Sequence, residues 1–335
     1  MTSRKPLGAP APPNLADFNE KQLRAILRSH RWPNGFVCPK CHWAHTLSWA
    51  KQKSTRMTRK GGPAASCSPP DSFHAEWSTR QDRIVCQQCG HQASMTAGTL
   101  LQGSRLPLAK IRDAVIAFIK ASNGISAEEL GAGLSINTLS ARSLMQKFRH
   151  AMKPWRSELP SGVVAVDESI LHLPRCAKGK DDKAYVVIGV EKRGTSHGRI
   201  GLQVAEAPFD YVFALCVTEM VRKKSTIETR NGTTYDQWLK NDEYFVKQSK
   251  SNRYAFGTEL LAPCKQVFDH VSNILMKTFR GAIKPEHLQS YLDEIAFRWN
   301  HRDNPNEAAW KLLTRLISPP GSWEIPEEPS NDALV

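Results

Sequence analysis

No run of about 18 apolar residues occurs in this 335-residue chain, so it holds no candidate membrane-spanning helix. The N-terminus, with Pro6, Pro10, Pro12 and Pro13 among small residues, lacks the apolar stretch of a signal peptide, and a cytoplasmic location is expected. Acids are scarce in one half only. Residues 1–155 hold 8 Asp/Glu against 22 Lys/Arg, whereas the remainder holds 24 of each. All of the net charge of +14 therefore lies in the N-terminal half, as expected of a half that grips a polyanion. The histidines are scattered, so Ser-His-Asp chemistry is not suggested.

What is present begins with cysteine. Cys38-Pro39-Lys40-Cys41 and Cys86-Gln87-Gln88-Cys89 each leave two residues between thiols, a spacing that presents two thiolates to one tetrahedral ion. Four such ligands make a zinc ribbon with structural zinc, because no position is left for water. In a cytosolic protein a metal site is favoured over disulfides, and neither pair heads a helix as a redox motif would. Between the pairs lies a long stretch whose part 51–71 is rich in Lys, Arg, Ser, Gly and Pro and reads as a flexible basic insertion. Cys67, His42, His45, His74 and His91 are nearby alternatives as ligands and read as bystanders.

The chain divides as follows. Residues 1–16 read as a disordered tail, and 17–105 as the ribbon domain, opened by an amphipathic helix with Leu23, Ile26 and Leu27 on one face. Residues 106–155 read as a helix-turn-helix. Ile111, Val115, Phe118 and Ile119 mark its first helix, which Asn123-Gly124 stops. Ser126 to Glu129 form a capping box for the second helix, Gly131–Ile136 a turn, and Asn137 or Thr138 caps a third helix to about Met152. On that third helix Arg142, Lys147, Arg149 and His150 face the DNA, opposite an apolar face of Leu139, Leu144, Met145 and Phe148. Pro154 and Pro160 then lead into a domain at 160–315, and the tail 318–335 reads as acidic and disordered.

The last domain opens on Val163–Glu168, four apolar residues and two acids, read as a strand buried on both faces that delivers Asp167 at its C-terminal end. Strand runs at Ala184–Val190 and Arg199–Ala205 follow, then a helix at Phe209–Val221, strands at Ser225–Thr229 and Tyr244–Lys247, and a helix after Pro263. That is the order of an RNase-H-like mixed-sheet domain, in which carboxylates from distant segments hold two magnesium or manganese ions for phosphodiester chemistry. The fold class is α+β multidomain: zinc ribbon, helix-turn-helix and RNase-H-like α/β domain.

These residues together resemble a known family. The stretches Arg31–Cys41 (RWPNGFVCPKC), Thr96–Thr99 (TAGT), Asn123–Ser126 (NGIS), Val166–Glu168 (VDE), Phe279–Gly281 (FRG), His287–Glu294 (HLQSYLDE) and Phe297–Asn300 (FRWN) look like those of ISXO-like insertion-sequence transposases, in family order. The resemblance implies a protein that binds double-stranded DNA at terminal inverted repeats and cuts and joins it. It implies a homodimer as well. It carries the first catalytic aspartate onto Asp167 and puts Arg230 where the second should stand, in Ser225–Tyr235 (STIETRNGTTY). A guanidinium cannot ligate a metal, so Glu228, two residues earlier, is the substitute, with Asp236 a weaker one. Counting back from Phe279 puts the third acid at Asp269, beside His270, and the family's lysine at Met276, beside Lys277. Two readings follow, an active transposase or a transposase-derived DNA-binding protein whose site has decayed. A zinc-ribbon transcription factor with an unrelated C-terminal domain is a third.

Overall fold

A computed structural model describes residues 13–32, 35–45, 77–78, 83–121, 124–173, 183–194, 196–230, 235–239, 243–248, 260–279 and 283–319. The expected tails up to residue 12 and from 320, the insertion 51–71 with Cys67, and His74 and Asn123 lie outside them. The chain packs as two compact units, one built on Phe18–Ala109 and the other on Lys110–Leu316.

The smaller unit starts with α1 (Glu20–Arg31), whose N-cap Asn19 and Gln22 form a reciprocal capping box. Short antiparallel pieces follow: β1 (Phe36–Val37) with β2 (Ala44–His45), and β3 (Trp77–Ser78), β4 (Arg83–Val85) and β5 (Gln92–Ser94) in order. Their core is small, with Phe36, Cys38, Ile84, Cys86 and Ala93 buried and Trp32 against them. The strands are two or three residues long and two of the five buried side chains in this cluster are cysteines, which makes the four sulfurs structurally important.

The larger unit begins with three helices, α2 (Leu108–Lys120), α3 (Ala127–Leu134) and α4 (Thr138–Ala151). Ser126 and Glu129 cap α3 reciprocally, as the sequence suggests, and Asn137 accepts from the Ser140 N–H to start α4. The expected turn at Gly131–Ile136 is shorter: α3 continues through Gly131 to Leu134, and Ser135 at φ 52° makes the reversal. Lys110 Nζ donates to the Leu134 carbonyl at 3.0 Å, tying α2 to the end of α3.

Then comes the five-stranded sheet: β6 (Val163–His172), β7 (Lys183–Arg193), β8 (Ser196–Ala205), α5 (Asp210–Met220), β9 (Thr226–Thr229), α6 (Tyr235–Leu239) and β10 (Phe245–Gln248). The strand order is β10-β9-β6-β7-β8. The first three strands in sequence are antiparallel, and β9 and β10 run parallel to β6. The sheet is thus mixed and β6 central, with its inner residues buried on both faces. One face is covered by α7 (Ala262–Lys277) and α8 (Leu288–Asn300) through Cys264, Val267, Val271, Leu275, Leu292 and Ile295. The other is covered by α5 and α6 through Phe213, Ala214, Val217, Met220 and Leu239. Gly201 lets α5 sit close: a Cβ there would stand 2.8 Å from the Met220 carbonyl oxygen.

Two arginines tie α2 and α4 to the later helices. Arg298 of α8 donates to the carbonyls of Ile119 and Ala121 at the C-terminal end of α2. Arg315 of α9 (Pro305–Ile317), fully buried, donates to the Ala151 carbonyl at the end of α4 and pairs with Glu158, which also meets Lys311 at 3.0 Å. Burial would raise the Glu158 carboxyl, but the two cations hold it down at about 2. Cations at helix C-termini answer the orphan carbonyls left there.

Candidate functional site

The sulfur centre is built from two equivalent turns. In the first, the His42 N–H donates to the Cys38 carbonyl at 2.9 Å and the Cys38 N–H to Trp43; in the second, Gly90 donates to Cys86 at 2.8 Å and Cys86 to His91. His42 at φ 57° and Gly90 at φ 70° make the same left-handed step after the second cysteine. The result brings Cys38, Cys41, Cys86 and Cys89 together with all four sulfurs within 4.8 Å of one another. The Cys38–Cys89 and Cys41–Cys86 Sγ separations are both 3.6 Å. A tetrahedron with zinc–sulfur bonds of ~2.3 Å has sulfurs ~3.8 Å apart, so zinc fits. Without an ion the thiols titrate together: against desolvation, the N–H groups of Cys41 and Lys40 favour the Cys38 thiolate, while, despite the Trp43 N–H, burial and the neighbouring sulfurs push Cys41 up. His42 and His91 stand outside the cluster.

The carboxylate site differs from expectation at several points. Asp167 is not at the end of its strand: β6 runs on to His172 because Ser169, Ile170 and Leu171 stay paired with β7. The parallel neighbour β9 stops earlier, its last partner on β6 being Ala165, opposite Glu228. Asp167 therefore lines a notch where β9 has ended and β6 continues.

Arg230, one residue past β9, fills that notch. Its Nε lies 2.6 Å from Asp167 Oδ1, a charge contact off the N–H direction, and a terminal nitrogen donates to Glu168 Oε1 at 2.5 Å. All three side chains are buried. Asp167 is also held by backbone, accepting from the Glu168 N–H at 3.0 Å and from the Leu261 N–H, just before α7, at 2.7 Å. Burial pushes the Asp167 carboxyl up to about 7; Arg230 and the two N–H donors pull it down, and the neighbouring Glu168 charge adds to the rise.

The other two acids are engaged elsewhere. Glu228 pairs with Lys192 at 2.7 Å. Asp269 stands on the outer face of α7, its side chain 56% exposed, 3.5 Å from Lys265 one turn earlier. Among the described residues the cysteines are the only cluster of three or more groups placed to hold an ion, and Asp167, Glu228 and Asp269 do not converge. The side chain of Asp236 lies outside the described residues. A catalytic magnesium or manganese ion does not fit the described set, because a fixed guanidinium already occupies the oxygens it would need. The sequence flags Arg230 by its misfit but not its two partners; the doublet Asp167-Glu168 was the available signal.

On α4 the expected DNA-facing set also changes. Arg142 is exposed and Lys147 half-buried. Arg149 is not available: it is buried, its Nε donates to Glu294 Oε2 at 2.7 Å, and its guanidinium lies 4.0 Å from the Tyr291 ring centre. Glu294, on α8, holds Arg298 with its other oxygen at 2.9 Å. Leu139, expected on the apolar face, is instead 74% exposed. The outward strip of α4 is Leu139, Arg142, Ser143, Gln146 and His150.

Residues 18–57 match the family model described as a transposase zinc-ribbon domain, and residues 161–300 match that described as an ISXO2-like transposase domain. The second match spans the sheet, α5 to α7 and α8. No curated protein matches the chain. No helix among the described residues is long and apolar enough to cross a membrane.

Proposed function

Because this chain belongs to the IS1595-type insertion-sequence transposases, we propose that it works as a transposase-derived DNA-binding protein whose strand-cutting site is closed. The observation that carries this is the Arg230 guanidinium in contact with both Asp167 and Glu168. In the RNase-H-like reading of the sheet, Asp167 holds the first metal ion of a phosphodiester site. Two divalent cations beside a fixed positive charge would be repelled strongly at the low dielectric of a buried notch. The arginine supplies the neutralisation that metal would supply, so the acids stay buried without it.

DNA binding rests on other parts. In this reading α3 and α4 are a helix-turn-helix, and the strip of Leu139, Arg142, Ser143 and Gln146 on α4 enters a major groove. Leucine suits a thymine methyl, arginine a guanine edge and glutamine an adenine edge. The zinc-bearing unit and the cationic N-terminal half add phosphate contacts, and two copies act together on paired ends.

The test uses the full chain with bound zinc on supercoiled and linear duplex DNA carrying the element's terminal repeats. Binding is expected, with log affinity falling linearly against log salt, and no nicking with magnesium or manganese. Metal-dependent nicking that Asp167→Ala abolishes would overturn the closed-site reading and restore the active transposase.

A further inference from the structure

We propose that the outer face of α5 and α6 is where two copies of this chain pack, α5 against antiparallel α5. The inner face of α5 is fully engaged: Phe213, Ala214, Val217 and Met220 are buried on the sheet. Its outer face is apolar too. Tyr211 and Leu215, one turn apart, are 47% and 58% exposed, with Phe209 at the N-cap 55% and Trp238 of α6 49% exposed. The aromatic side chains form one ridge. The Phe209 and Tyr211 rings stack at 5.9 Å with 8° between planes, and Trp238 lies 6.1 Å from Tyr211. The first two turns of α5 are apolar on the outer side as well as the inner one, and three clustered exposed aromatics mark an interaction surface rather than scattered surface residues.

Charge decides what covers it. Glu206 and Asp210 sit at the N-terminal end of α5, and Arg222, Lys223 and Lys224 follow its C-terminal end, with Glu219 the acid on the last turn. A two-fold axis through the apolar stripe makes the interface self-complementary. It sets the acidic end of one α5 beside the basic end of the other, twice, and opposes the two helix dipoles. Arg222 also donates to the Ser157 carbonyl, which fixes its position at that end. Single-stranded nucleic acid, the other occupant that aromatic ridges take, is disfavoured: Glu206, Asp210 and Glu219 border the ridge. Four half-exposed side chains present roughly 400 Å² per copy, the core of an interface of standard size.

This surface gives the paired copies of the proposed function a location, and it stands or falls apart from DNA binding. The experiment is light scattering and sedimentation of the zinc-loaded full chain, wild type against Leu215→Glu, Glu206→Lys, Lys223→Glu and the Glu206→Lys/Lys223→Glu double variant, with short-duplex binding as a separate readout. Wild type is expected to be dimeric. Leu215→Glu, at an exposed position, should keep the wild-type circular dichroism of a folded chain and raise the dimer dissociation constant about thirtyfold or more. Each charge reversal should weaken the dimer and the double variant recover much of it, because the reversed ends face each other again. A monomeric wild type overturns the proposal, as does a dimer indifferent to Leu215→Glu. Loss in both single reversals without recovery overturns the antiparallel arrangement. Duplex binding by the monomeric variant, whatever its strength, bears on the DNA-binding reading alone.

Discussion

The sulfur centre and the carboxylate notch are both places where distant segments bring like-charged ligands together, and they resolve that repulsion in opposite ways. Four sulfurs meet within 4.8 Å at the spacing of a tetrahedral ion, so the arrangement calls for an ion from outside. Two carboxylates meet at the notch with an arginine already between them, so that arrangement is closed from within. The difference lies in what the chain supplies. A knuckle is local and survives as long as its four cysteines do, whereas a carboxylate site depends on every segment that reaches it. Here an arginine just after β9 takes up both carboxylates.

The strongest way to break the comparison is to remove the zinc. Chelation, or Cys41→Ser with Cys86→Ser, should unfold the smaller unit's strands, whose buried cluster includes Cys38 and Cys86 themselves. Structural zinc contributes on the order of 10 kcal/mol to such domains. Metal content of about one zinc per chain, lost together with the folded signal in circular dichroism, is the expected result. A fully folded zinc-free unit would show that its strands hold without the sulfurs.

Next in size is the arginine. Arg230→Ala leaves Asp167 and Glu168 buried without their cation and should lower unfolding stability by about 3–5 kcal/mol in urea titrations. The effect has a pH sign. Asp167 already sits up at about 7, and without Arg230 it moves further up. A raised carboxyl means the folded chain keeps a proton that the unfolded chain releases near pH 4. Stability present below that point is lost as pH rises through the folded value. The variant should therefore lie nearest wild type at about pH 5 and furthest at about pH 8. A loss that does not change with pH would argue that Arg230 acts by packing alone.

Smaller, and separable by readout, are the two arginines of α4. Arg149→Ala should destabilise by about 2–4 kcal/mol, because it leaves the buried Glu294 with Arg298 alone. Arg142→Ala, at an exposed position, should leave the unfolding midpoint nearly unchanged and weaken DNA binding by about tenfold. If the two variants trade these effects, the outward strip of α4 is wrongly assigned.

What the sequence makes legible follows from how local each signal is. The cysteine turns and the Ser126–Glu129 box each close within a few residues and are readable directly. The mixed order of strands and helices is readable too, because each run has its own period. Gly131 misleads as a turn because the box and the Ile136 N–H bonded to the Gly131 carbonyl carry the helix past it. Leu139 lies half a turn from Leu144, Met145 and Phe148, on the strip of Arg142, Ser143 and Gln146, so its apolar side chain suggests the core while its helical position points outward. Arg149 reads as a DNA contact since its acid partner lies 145 residues away on α8. A helical period shows which side chains share a face, and only tertiary contacts show where that face points.

The smallest expected effect separates the two remaining acids from Asp167. Asp269→Asn removes a charge that is more than half exposed and meets only the equally exposed Lys265 in the described contacts. Pairs of this kind on a helix surface contribute about 0.3–0.5 kcal/mol, so stability should shift within about 0.5 kcal/mol and duplex affinity not at all. Asp167→Asn, in contrast, removes the charge that faces Arg230 and should change both the unfolding midpoint and its pH dependence. Were Asp269→Asn to abolish a metal-dependent activity, α7 would have to turn its outer face toward the notch during that reaction. Arg230 would have to leave the notch, and the contrast between an open sulfur centre and a closed carboxylate one would fail at its second half.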